Sequence, residues 1–142
     1  MSVYVQTNQP VILGDAAYTV SATDTGKLFL FRTQLNAART ITLPAEPGLH
    51  FRFMVSLNNG AGGANILGAA VNNDAIITSP VNGKVQGTLL CSNGPAAVMV
   101  LKNDANTARF DNTSVTGDYM DVYCDGEFWN ISGMSRVTGG FV

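Results

Sequence analysis

Residues 50–57, His-Phe-Arg-Phe-Met-Val-Ser-Leu, decide the fold class because their side chains alternate in character. The odd-numbered positions hold two phenylalanines, a valine and a leucine, whereas the even-numbered ones hold histidine, arginine, methionine and serine. A period of two is that of a β-strand with one face in a core and the other outside it. The stretch therefore predicts a strand that lies on the surface of a β-rich core.

Similar short segments recur along the chain between glycine, proline, asparagine and aspartate residues. No stretch has the apolar spacing and cap of an amphipathic helix. The predicted strands are Val3–Gln6, Val11–Leu13, Tyr18–Ala22, Leu28–Gln34, Thr40–Leu43, His50–Leu57, Ala75–Thr78, Lys84–Cys91, Ala97–Lys102, Tyr119–Cys124 and Phe128–Ser132. Their number and spacing predict an all-β protein, an antiparallel β-sandwich.

Residues 119–132 predict a hairpin, because Asp125-Gly126 is a strong signal for a two-residue type I′ turn. In that register Cys124 pairs with Glu127. Facing side chains then divide into a core face and an aromatic, partly polar second face. The core face consists of Met120, Val122, Trp129 and Ile131, and the second face contains Tyr119, Tyr123 and Phe128. Such a second face is typical of a protein interface, and a loop folded over it is the alternative.

Two further segments predict contacts beyond the chain's own core. Residues 1–14 form an apolar-polar arm before a single domain at 15–142, and the arm is either an edge strand of this domain or an addition to a neighbour's sheet. Leu28–Phe31 is apolar on both faces, so it is either a central strand or a strand that meets another subunit. The residues predicted to contact partners are Val3, Tyr4, Val5, Val11, Ile12, Phe29, Phe31, Tyr119, Tyr123 and Phe128.

The charge and composition of the chain argue against nucleic acid and membranes as partners. Only 13% of the 142 residues are charged, against roughly 25% in ordinary soluble domains, and the net charge is −2. The eight basic residues are scattered, which argues against nucleic-acid binding. No apolar run approaches the roughly 20 residues that span a membrane, and the N-terminus does not resemble a signal peptide. We therefore expect synthesis in the cytoplasm, with Cys91 and Cys124 as buried free thiols rather than a disulfide.

No catalytic, cofactor-binding or metal-binding residue is predicted, so we expect a protein that is not an enzyme. His50, the only histidine, is expected at a surface or interface, and no nucleophile motif accompanies it. The glycine-rich segment 60–65 lacks the lysine and the following helix of a phosphate-binding loop. One histidine and two distant cysteines cannot form a zinc site, and the carboxylates of residues 118–127 lack calcium-loop spacing.

The order of three motifs resembles a known family. Residues 40–44 read Thr-Ile-Thr-Leu-Pro, residues 48–53 read Gly-Leu-His-Phe-Arg-Phe, and residues 125–133 read Asp-Gly-Glu-Phe-Trp-Asn-Ile-Ser-Gly. This succession, within residues 17–133, resembles small jelly-roll modules of tailed-phage virions. They occur as head decoration (cement) proteins and in tail fibres and spikes.

The resemblance implies a homotrimer that sits on the outer capsid surface, binds the major capsid protein and stabilises the head. It carries no catalytic residues or cofactors. The alternative is a receptor- or glycan-binding tip module of a tail fibre or spike, with recognition by loops near residues 60–65 and 103–112. An enzyme such as a glycan hydrolase would need two facing carboxylates, which the predicted hairpin register does not provide.

Overall fold

A computed structural model describes residues 9–57, 73–80 and 84–142. Within them the chain forms eleven strands and one short 3-10 helix, Ala22–Asp24, so the expectation of an all-β protein is confirmed. The strands are β1 (Val11–Leu13), β2 (Tyr18–Thr19), β3 (Leu28–Phe31), β4 (Arg39–Thr42), β5 (His50–Val55), β6 (Ala75–Thr78), β7 (Val85–Ser92), β8 (Ala97–Ala105), β9 (Thr107–Phe110), β10 (Tyr119–Cys124) and β11 (Trp129–Ser135). The predicted strand at residues 3–6 lies outside the described residues.

Two sheets share one core. The larger has seven strands in the order β1-β3-β5-β10-β11-β7-β8, and the smaller has four in the order β2-β4-β6-β9. Aromatic rings join them: Phe31 of β3 lies 5.5 Å from Phe110 of β9, and Tyr18 of β2 lies 6.0 Å from Phe29 of β3, between ring centroids. The core therefore sits between the sheets and leaves one face of each sheet outside.

The expectation of a purely antiparallel arrangement was wrong. Five of the nine pairs between described strands are parallel. From β1 to β6 the chain alternates between the two sheets, so each strand of one sheet serves as the crossover between two strands of the other. Within this segment the successive strands of each sheet run in the same direction, because passage through the opposite sheet supplies the crossover that a parallel pair needs.

The predicted hairpin exists, but its register differs by two residues. Cys124 pairs with Trp129 rather than Glu127, because Asp125 closes a longer turn. The Asp125 carboxylate accepts hydrogen bonds from the amides of Glu127 and Phe128, at 2.9 and 2.7 Å. A shift of two residues keeps every side chain on its predicted face. Met120, Val122, Trp129 and Ile131 are accordingly all buried.

Two predicted partner contacts proved to be core residues. Phe29 and Phe31 are 0% and 1% exposed, so they pack inside their own chain rather than against another subunit. β1 pairs with β3 along Val11–Leu13, which makes the end of the predicted arm an edge strand of its own sheet. Both cysteines are buried free thiols, as predicted.

The stretch 103–112, expected as a recognition loop, is largely strand. It contains the end of β8 and all of β9, and Ala108 and Phe110 of β9 are buried. β9 was not predicted from the sequence, because it is short and presents only these two apolar residues to the core. The other expected recognition loop, residues 60–65, lies outside the described residues.

Candidate functional site

The outer face of the seven-stranded sheet presents an apolar residue from every strand at one level. Residues paired in register across a sheet share a face, so the strand pairings define this line of side chains. In order across the sheet it consists of Ile12, Leu30, Met54, Tyr119, Met134, Leu90 and Met99. We call these seven residues the apolar row.

Part of the apolar row is open to solvent. Ile12, Met134 and Met99 are 54%, 45% and 67% exposed, whereas Leu30 is buried. They are three of the seven large apolar side chains that are exposed in the described chain. Soluble proteins commonly expose single apolar residues, but a connected apolar strip is typical of a surface that another molecule covers.

Arg52 of β5 and Asp121 of β10 form a bidentate ion pair beside the apolar row. Arg52 Nε and Nη2 donate to the two carboxylate oxygens at 2.7 and 2.8 Å. The guanidinium also lies 4.6 Å from the ring centroid of Tyr119. The hydrogen bond to Asp121 raises the pKa of Arg52.

An open groove of about 600 Å³ extends from this ion pair across β5, β10 and β11. His50, Tyr123 and Asn130 line it together with the paired Arg52 and Asp121. The groove also touches Lys27, whose ammonium is held 2.8 Å from Asp24. Its charges are therefore largely compensated, and Tyr123, 50% exposed, offers an aromatic surface. A neutral, partly apolar ligand or a protein surface suits these groups better than an ion.

The predicted partner contacts are distributed unevenly over the structure. Tyr119 and Tyr123 lie together on the outer face of β10, and Ile12 joins them at the edge of the same face. Phe128 lies in the turn after β10, where the Lys84 ammonium is 5.0 Å from its ring centroid. Val11 is half-buried against the core. Val3, Tyr4 and Val5 lie outside the described residues.

Sequence reasoning missed five members of the apolar row: Leu30, Met54, Leu90, Met99 and Met134. All but Met134, which lies two residues beyond the predicted strand Phe128–Ser132, were assigned to strands. Their neighbours on other strands depend on register, which the sequence did not reveal. The available signal was weak. Met54 occupies an outward position next to His50 and Arg52, where a polar residue is expected.

Two groups that could perform chemistry, Asp118 and Cys91, have structural roles or surroundings that make them unreactive. Asp118 is fully buried and accepts hydrogen bonds from Ser135 Oγ at 2.6 Å and from the amides of Arg136 and Val115 at 2.9 and 3.0 Å. Burial raises the pKa of the Cys91 thiol, which disfavours the reactive thiolate. Within the described ranges, no three histidine, cysteine, aspartate or glutamate residues come together as metal ligands.

Comparison with known proteins adds no relative. No family model matches this chain, and neither do curated proteins or solved structures. Among the described residues no helix is both long enough and apolar enough to cross a membrane. The outer face of the large sheet, with its exposed apolar row and groove, is thus the candidate functional surface.

Proposed function

We propose that this chain is a virion structural protein, a capsid decoration or cement protein of a tailed phage. It binds the outer capsid surface as a homotrimer, contacts the major capsid protein and stabilises the head. The observation that carries the proposal is the apolar row, which crosses all seven strands and remains exposed at Ile12, Met134 and Met99. The motif order of residues 40–133 supports the same class of protein.

The charges of the outer face favour a protein partner. Burying an unpaired charge in an interface is costly, whereas a pair that is already hydrogen-bonded brings its counter-charge with it. Arg52 and Asp121 form such a pair within one chain, beside Tyr119. Arginine and tyrosine are enriched in protein interfaces, which is consistent with this composition.

The proposal rests on this surface and not on a jelly-roll topology. Jelly rolls are antiparallel, and the parallel strand pairs of this chain depart from that arrangement. A decoration protein requires only a rigid face that is complementary to the capsid. Three copies in one trimer then multiply weak individual contacts, because the second and third contacts form at high effective concentration.

Binding to undecorated capsids of the encoding phage tests the proposal. Met134 lies in the middle of the apolar row and is 45% exposed, so Met134→Lys places a charge in the contact with little effect on folding. We expect at least a tenfold loss of capsid affinity for this variant in co-sedimentation. Thr40→Lys is the matched control, since Thr40 is exposed on β4 of the other sheet. Absence of binding by the native chain, or equal binding by both variants, would overturn the proposal.

The trimer is tested separately by native mass. One chain has a mass of 15.0 kDa, and light scattering of a trimer should give about three times that value. A mass of one chain at micromolar concentration would contradict the homotrimer.

One observation favours a second candidate, a glycan-binding tip module of a tail fibre or spike. The groove offers the exposed ring of Tyr123 beside neutral hydrogen-bonding groups, including Asn130. A sugar presents apolar C–H faces and neutral hydroxyls, which suit such a groove. Specific signals on a glycan array that disappear in Tyr123→Ala, without capsid binding by the native chain, would favour this candidate over decoration.

A further inference from the structure

The edge strand β8 differs from the other edges of the two sheets. It is nine residues long, Ala97–Ala105, and it ends the seven-stranded sheet with no neighbour among the described strands. A free edge presents unpaired N–H and C=O groups, and natural proteins protect such edges by shortness, proline, charge or a covering segment. Protection of this kind is present at the other three edges.

The other edges are short or covered. β1 has three residues and follows Pro10, and β2 has two residues. The outer edge of β9 is covered by the C-terminal residues, because Arg109 and Val142 exchange two backbone hydrogen bonds of 3.1 Å. Among the described edges, β8 is thus the one long strand. Its C-terminal end carries Lys102, Asp104 and a register irregularity, so only residues 97–101 lack protection of this kind.

The first part of β8 is also apolar and uncharged. No charged residue occurs from Ser92 to Leu101. Val98, Met99 and Leu101 are 47%, 67% and 71% exposed. Pairing between β7 and β8 is regular from Ala97 to Lys102, and the irregularity in the register comes only after that point. Residues 97–101 therefore form a regular, exposed and apolar edge.

We propose that β8 pairs with β8 of a second copy of this chain, antiparallel and centred on Met99. In this register Met99 faces its own counterpart across the two-fold axis. Val98 faces the partner's Val100, and Ala97 faces the partner's Leu101. Every position of the stretch 97–101 meets an apolar residue, so the edge is complementary to itself. The two large sheets become one continuous sheet, with the apolar rows meeting at Met99.

Charge disfavours a register centred closer to Lys102. With Met99 at the centre, Lys102 faces the partner's Ala96, and the two lysines are six residues or roughly 20 Å apart along the strands. That distance exceeds the Debye length of about 8 Å at physiological salt. With Leu101 at the centre, the lysines would be two residues or roughly 7 Å apart, where like charges oppose pairing.

Disulfide trapping tests the register directly. Met99→Cys places two thiols opposite each other on the axis, at a Cα separation of about 4.5–5.5 Å that a disulfide spans. We expect most of the variant to become a covalent dimer under mild oxidation. Leu101→Cys is the matched control, because it lies four residues or roughly 13 Å along the strand from its counterpart, too far to bridge. The native chain, with Cys91 and Cys124 buried, controls for its own thiols.

A second variant tests the contact without cysteine chemistry. Met99→Lys places two ammonium groups opposite each other, so we expect at least a tenfold weaker two-fold association by analytical ultracentrifugation. Met134→Lys, on the same face but away from the edge, should leave this association unchanged. The proposal is overturned if Met99→Cys does not cross-link, if Leu101→Cys cross-links equally well, or if both lysine variants associate like the native chain.

This contact goes beyond the proposed function and does not depend on it. It would join two single chains or two trimers. Cross-linking through residue 99 detects the contact in either case. Loss of capsid binding in Met134→Lys, with native two-fold association in ultracentrifugation, would separate the two surfaces. A decoration protein without cross-linking through residue 99 would refute the edge pairing alone.

Discussion

Gly87 of β7 allows three strands to meet closely in the large sheet. Its φ is +139°, which side chains other than glycine rarely adopt, and a Cβ there would overlap the backbone of Ile131 on β11. The register between β7 and β8 also shifts between Val85 and Gly87. The bulge and the close parallel approach of β11 both depend on this glycine, as glycine in a strand often indicates.

We predict that Gly87→Ala lowers the free energy of unfolding by about 3 kcal/mol, because strained φ and backbone overlap act together. Urea denaturation monitored by circular dichroism measures this change. Gly14→Ala is the control, since an added Cβ at Gly14 meets no atom within 4 Å and should change stability by less than about 0.5 kcal/mol. Equal midpoints for the two variants would contradict this role of Gly87.

At the scale of the element, the turn between β10 and β11 depends on the Asp125 carboxylate. Hydrogen bonds from the Phe128 amide, the Asn130 side chain and the Glu127 amide lower the pKa of Asp125 below its ordinary value of 3.8. A group whose pKa is lower in the folded state stabilises the fold above its unfolded pKa. That contribution disappears as the pH falls through the folded pKa.

We predict that lowering the pH from about 4.5 to about 2 reduces the melting temperature of Asp125→Asn less than that of the native chain. The amide retains an oxygen that accepts hydrogen bonds but does not titrate, so the turn can still form. Carboxyl NMR of the native chain should give Asp125 a midpoint below 3.8. Glu46→Gln, at an exposed position, is the control, and a native-like pH dependence in both variants would contradict the prediction.

The bounds of the strands were easier to predict than the pairing between them. Val11–Leu13, Ala75–Thr78 and Tyr119–Cys124 have the predicted bounds, because short apolar runs and the turn residues that flank them are local properties. The two-residue error at Cys124 has a local cause as well. Asp125-Gly126 predicts the shortest hairpin turn, but the Asp125 side chain instead satisfies amides two and three residues later.

At the scale of the whole molecule, the core joins both sheets into one unit. Phe110 of the small sheet is 0% exposed and packs 5.5 Å from Phe31 of the large one, between ring centroids. Trp129 of the large sheet is buried, and its Nε1 donates to the Pro44 carbonyl oxygen at 3.1 Å, just after β4. Neither sheet can lose its packing without exposing the inner face of the other.

We predict that Phe110→Ala destabilises both sheets together by about 3–5 kcal/mol, as deletion of a buried aromatic side chain does. Tryptophan fluorescence reports on the large sheet through Trp129, and far-UV circular dichroism reports on all strands. Both signals should shift to the same lower denaturant midpoint. A fluorescence transition that stays in place while the dichroism transition moves would indicate two independent sheets.

The sequence by itself determined the class of fold, most of the strands and the faces of the hairpin. These follow from local alternation, turn residues and composition. Strand direction, register and the apolar row depended on the tertiary structure, because alternation has the same period in parallel and antiparallel sheets. Only the pairing of seven strands brings residues from Ile12 to Met99 to one level, and only the order of strands leaves β8 as an open edge.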